Sequence, residues 1–293
     1  MTDDIIVSRD VITSILGLSK IPLSYRIKDC EIRDSPFDPQ ITIYATGKEI
    51  NMLALAVIPS ILLIVAVWKY DTVEKEPLGL LIKLFIFGGL TIIPALVLEL
   101  AGGAILGFVI EDTLSMSYLV IDNFIITALV EEVGKYFVLK VVTWKNKEFN
   151  YTFDAIVYAV VVSLGFATIE NILYVVGDGI GTAIARAIFS IPGHAIDGVF
   201  MGFFYGLARY AEGAGQKSVA KKHLREALLI PVIMHGFYDF CLSSDNWLFY
   251  LAFAIYEIVI TVITIKQIKK LSKNDTAIPG MVVDDNVFQT NDW

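Results

Sequence analysis

Glu131, Glu132 and Lys135 stand inside the otherwise apolar stretch ALVEEVGKYFVL, and each of the next three apolar runs carries further ionisable groups. Glu170 lies in FATIENILY, Arg186, His194 and Asp197 in ARAIFSIPGHAIDG, and His235 and Asp239 in MHGFYDF. Two imidazoles and a carboxylate are a common zinc-binding set that leaves one position for water, and a further carboxylate can take a proton from that water. Glu170, His194 and His235 are the expected ligands of a divalent metal, zinc by ligand type, with Glu131 or Glu132 as the base. Asp239, one turn beyond His235, is placed to orient that imidazole or the substrate. Lys135 can hold a glutamate ionised, and Arg186 can stabilise a developing oxyanion or reach toward the interface.

Helical spacing sorts these groups by face. Glu131 and Lys135 are four apart and share one, as do His235 and Asp239, whereas Glu132 lies roughly 100° round from Glu131 at about 3.6 residues per turn. At most one of the two glutamates points straight at a central site. Phe166, one turn before Glu170, is placed to wall it. A single intramembrane His or Asp is as readily an interhelical hydrogen-bond partner as a catalytic group. Four consecutive runs that each supply one member of a plausible hydrolytic set are less easily explained that way.

The elements that must position these residues are transmembrane helices. Hydrophobic residues make up 56% of the 293-residue chain and charged ones only 18%, with a mean hydropathy of +0.66, too apolar for an ordinary soluble domain. A crossing needs about 17 to 25 mostly apolar residues. Runs of that kind fall at residues 52–68, 78–100, 118–142, 153–176, 182–208, 226–242 and 247–265, which predicts an all-α, polytopic transmembrane helix bundle of about seven spans. AGGAILGFVI after Leu100 reads as an extension or a re-entrant segment. The bundle occupies residues 51–270. Residues 1–50 form an N-terminal tail with an amphipathic helix and a small hairpin, and residues 271–293 an acidic, disordered C-terminal tail. Cys30 and Cys241 show no disulfide framework or CxxC pair. The formal charge of −8 leaves no basic face for nucleic acid.

Lys and Arg cluster in alternate connections, around Lys69 and Lys75, Lys145 and Lys147, Arg209 to Arg225, and Lys266 to Lys273, and are missing from EDTLSMS, GDGIG and LSSDN. Because basic loops stay cytoplasmic, the C-terminus is expected inside and the N-terminus outside a cell membrane.

Taken together, EEVGK, FATIENILY, the histidine of GHAIDG, and HGFYD resemble the EExxK, FxxxENxxY, histidine and HxxxD motifs of the PrsW-type intramembrane protease family. That family is distantly related to the CAAX-processing and bacteriocin-processing membrane proteases. The resemblance runs from about Tyr70 to about Phe240, with Asp197 departing from the pattern. It implies an endopeptidase acting on membrane-associated protein substrates of the anti-sigma-factor kind, cleaved at the outer side of the lipid bilayer, with a metal-dependent or a glutamate-driven mechanism. Motif matching carries Glu131, Glu132, Glu170, His194, His235 and Asp239 into the site without dividing them between ligand and base. The competing readings are a proton- or ion-coupled transporter using the same carboxylates and histidines as a relay, and an inactive membrane scaffold. The lack of a visible internal repeat weighs against the transporter.

Overall fold

The computed structural model describes residues 47–178 and 180–281; the expected N-terminal helix and hairpin and the end of the C-terminal tail lie outside the described residues. Helix α1 spans Gly47–Tyr70, α2 Leu78–Leu90 and α3 Ile92–Val109. A short α4 (Met116–Val120) continues through a π-helical stretch (Ile121–Ala128) into α5 (Leu129–Thr143). The remaining helices are α6 (Asp154–Asp178), α7 (Ile180–Ala185) with a second π-helical stretch (Arg186–Ser190), α8 (Ile191–Gly213), α9 (Lys217–Ser243) and α10 (Trp247–Lys273).

Among the described residues six helical runs are long and apolar enough to cross a membrane. The seventh expected span, residues 116–143, is helical and long enough to cross, but Asp122, Glu131, Glu132, Lys135 and Lys140 make it too charged to qualify on composition. Its Glu131, Glu132 and Lys135 side chains are buried inside the bundle. The apolar extension after Leu100 belongs to α3. Between α2 and α3 the helix is interrupted at Thr91. Pro94 sits in the first turn of α3, where its missing N–H removes no intrahelical bond.

The bundle is built around α6. Its residues from Ala155 to Val162 are all buried, an apolar-all-round pattern that only a helix enclosed by others tolerates. By contrast α10 exposes Ile255, Ile258, Val259 and Val262, and α2 and α3 expose Ile82, Ile86, Leu90, Ile93 and Val97; these faces suit hydrocarbon chains. Small residues bring α6 close to its neighbours. A Cβ on Gly202 of α8 would lie 2.5 Å from the Ile156 Cα, and one on Gly165 of α6 would lie 2.2 Å from the Phe85 carbonyl oxygen. Without a hydrophobic drive between helices in lipid, such backbone approach provides much of the packing energy.

At the end of the bundle opposite the α9–α10 loop, the chain after α10 folds back on the start of α6. Thr152 N donates to Thr276 O at 3.0 Å and Ile278 N to Asn150 O at 2.7 Å, with an antiparallel bridge between Tyr151 and Ala277. The first residues of the expected acidic tail, up to Met281, are thus part of the folded body.

Candidate active site

Four helical runs deliver the polar groups of the core: α5 carries Glu131, Glu132 and Lys135, α6 Glu170, α8 His194 and Asp197, and α9 His235 and Asp239. Both π-helical stretches lie just before site residues, Ile121–Ala128 ahead of Glu131 and Arg186–Ser190 ahead of His194. An extra residue per turn re-aims the side chains that follow, and such insertions recur at functional positions. Pro231, four residues before His235 in α9, removes the N–H that would bond to Ala227 O.

Lys135 is the hub of the cluster. Its ammonium, fully buried, donates to Glu132 Oε1 at 2.7 Å and Glu131 Oε2 at 3.1 Å, and lies 3.2 Å from His194 Nδ1. It also sits 4.3 Å from the centre of the Phe166 ring, which packs edge-on against His194. His194 Nε2 is 2.9 Å from Glu170 Oε2, and Arg186 pairs with the same oxygen at 2.6 Å while its Nε donates to Asn171. His235 Nδ1 is 3.0 Å from Glu132 Oε1, and its Nε2 is 3.1 Å from Asp239 and 3.9 Å from Glu131. The two imidazole rings stand perpendicular with centres 5.2 Å apart.

The structure therefore brings together all six residues singled out in the sequence, in unequal positions. One ligand atom from each of Glu131, Glu132, His194 and His235 lies within 4.8 Å of the others. Glu170 falls outside that group, drawn toward Arg186, and Asp239 backs His235. The donor set suits a divalent metal: two imidazoles, two carboxylates, and a Glu132 Oε2 that is buried with no hydrogen-bond partner. Glu170 on His194 and Asp239 on His235 supply the carboxylate that a ligating histidine normally holds through its other nitrogen.

A cavity of about 580 Å³ opens beside this cluster. Glu131, Glu170, His194, His235 and Asp239 line it, whereas Glu132 does not. Near the ends of their helices, Tyr174 of α6 and Leu242 and Ser243 of α9 also line it, so it lies toward the loop between α9 and α10, a loop without Lys or Arg. From the sequence, Glu99 is expected to lie outside the cluster, as a structural or unexplained acid, and the structure corrects this. Glu99 of α3 reaches the same cavity, with a buried Oε1 that has no partner. Its signal was available, because an acid in the middle of a span is a functional candidate by default. Asp197, which departs from the motif pattern, lines the cavity as well.

A family model described as PrsW family intramembrane metalloprotease matches residues 76–265. Among curated proteins the chain is similar to Protease PrsW of Oceanobacillus iheyensis, 32% identical over 77% of this chain and 98% of that protein. It is also similar to Protease PrsW of Geobacillus kaustophilus, at 33% over 69% and 84%, and to Protease PrsW of Bacillus subtilis, at 31% over 68% and 87%. No solved structure matches the chain.

Proposed function

Since the chain belongs to the PrsW family of intramembrane metalloproteases, we propose that it is an intramembrane endopeptidase whose catalytic body is residues 51–270 and whose site is the cavity walled by Glu131, His194 and His235. The observation that carries this reading is the position of Glu131. It is the one glutamate of the pair that faces the cavity, and it does so beside two imidazoles each backed by a carboxylate.

Glu132, His194 and His235 are the residues that would hold a metal once the Lys135 ammonium gives up His194 Nδ1, and zinc fits the mixed imidazole and carboxylate set. When bound there, a divalent cation supplies Lewis acidity to the scissile carbonyl and makes water a better nucleophile. Glu131 takes a proton from water as it adds to that carbonyl and passes it to the departing amine. Glu170 and Asp239 orient the two imidazoles, and Arg186 pairs with Glu170 and holds it in place. Phe166 packs behind Lys135 and His194 and holds them in place. The substrate is a membrane-associated protein, reached from the lipid bilayer. With the basic connections cytoplasmic, the C-terminus lies inside, the N-terminus outside, and the cavity in the outer half of the membrane, where an anti-sigma-factor-like substrate is cut.

The test is incubation of the purified protein with a single-span membrane substrate, with and without chelator, beside Glu131→Gln and His235→Ala. Loss of cleavage in both variants and in chelator is expected. Full cleavage by folded Glu131→Gln would remove this residue from the chemistry, and full cleavage in chelator would remove the metal.

A further inference from the structure

A second concentration of buried carboxylates lies at the far end of the bundle. Asp71 follows α1, Asp154 opens α6 and Asp275 follows α10, and one carboxylate oxygen from each lies within 4.8 Å of the others. Sixteen residues of α6 separate Asp154 from Glu170, roughly 24 Å at about 1.5 Å per residue. This group is therefore remote from the hydrolytic cluster.

Part of its hydrogen-bonding capacity is used locally. Asp154 Oδ2 accepts from Asn150 N at 3.0 Å and Tyr151 N at 2.7 Å. Asp275 Oδ1 accepts from Phe153 N at 2.8 Å, Thr276 N at 2.9 Å and the Thr152 hydroxyl at 3.0 Å. The remaining oxygens, Asp154 Oδ1, Asp275 Oδ2 and both of Asp71, are buried without a donor, as is the amide oxygen of Asn150. Asp71 is 1% exposed, so water does not satisfy it from outside.

The neighbouring cation, Lys75, offsets this only in part. Lys75 spends its ammonium on the main-chain carbonyls of Trp68 and Asp71 and makes no ion pair among the described residues. Glu74, which accepts from Asn150 Nδ2 at 2.9 Å, and Glu76, which accepts from the Tyr158 hydroxyl and lies against Asp154, add two further carboxyl groups. Buried carboxylates as a rule are paired or coordinate a metal.

We propose that Asp71, Asp154 and Asp275 hold a hard divalent cation, Ca²⁺ or Mg²⁺, that clasps the end of α1, the start of α6 and the segment after α10. The donors are all oxygens, without imidazole or thiolate, which is the preference of these ions and unlike the zinc-type set at the other site. Binding there fixes the first turn of the central helix, the one that carries Glu170. The proposal does not depend on the protease reading.

Thermal unfolding of metal-stripped protein in detergent, titrated with Ca²⁺ and separately with Mg²⁺, tests it for the wild type, Asp71→Asn and His235→Ala. One or both ions should raise the wild-type midpoint saturably by several degrees, and the pair of titrations tells which. Asp71→Asn removes a charge but no hydrogen bond, so it should fold and bind the ion at least tenfold more weakly, while His235→Ala keeps the wild-type response. Elemental analysis of dialysed wild-type protein should find Ca or Mg near one per chain. An absent shift with both ions, an unchanged response in Asp71→Asn, or a response lost only in His235→Ala would each overturn the assignment.

Discussion

The ammonium of Lys135 lies 3.2 Å from Nδ1 of His194, two residues 59 positions apart in the chain. An ammonium has no acceptor, so Nδ1 must accept and the ring proton sits on Nε2, where Glu170 receives it at 2.9 Å. One lysine thus fixes the tautomer of His194 and joins it to both glutamates of its own helix.

Replacing Lys135 by Met leaves Glu131 and Glu132 buried together without their counter-charge. Breaking a buried ion pair in this way costs about 3 to 5 kcal/mol. The variant should unfold at lower denaturant than the wild type, and added divalent metal should recover more stability in it than in the wild type, as read by paired unfolding curves.

Glu131→Gln keeps the shape of the cavity wall and removes the proton acceptor. Cleavage should fall by about 10²- to 10⁴-fold, the usual worth of a general base, with the unfolding midpoint unchanged or raised. Glu132→Gln should instead weaken metal retention, measured as metal per chain after dialysis.

Asp239→Asn retains a hydrogen-bonding side chain on His235 but no charge. Loss of such a supporting carboxylate typically costs about 10- to 100-fold in metal affinity or activity. Steady-state cleavage with metal held saturating separates the two effects, since an affinity defect disappears there.

His235 faces carboxylates at both nitrogens, Glu132 at 3.0 Å and Asp239 at 3.1 Å. A metal that takes either nitrogen must displace the proton donated from it. Metal uptake should therefore release protons and tighten as pH rises, which calorimetry in buffers of different ionisation enthalpy will detect. Affinity that is flat with pH would count against His235 as a ligand.

Gly202 does not line the cavity, yet a Cβ there would lie 2.5 Å from the Ile156 backbone. Gly202→Val must push α8 away from α6 and carry His194 away from Glu170. Overpacking of this kind costs about 1 to 3 kcal/mol. Activity should drop with stability, in contrast to Glu131→Gln, and activity assays paired with unfolding curves distinguish the two.

The sequence by itself determined the bundle, the helices and the six residues that meet in its core, because apolar runs of membrane length and charges placed inside them are local features of the chain. Helical spacing also separated Glu131 from Glu132, and Glu131 is the one that lines the cavity. Spacing within a helix says nothing about which neighbour faces it, so the partners of Glu170 were decided only when α6, π-helical Arg186–Ser190 and α8 packed together. The same holds for Glu99, whose position beside the cavity depends on how α3 lies against its neighbours. At the other end, Asp71, Asp154 and Asp275 are separated by 83 and 121 positions in the sequence. Nothing in their local patterns marks them as a group; only the return of the chain after α10 onto the start of α6 brings their carboxylates together.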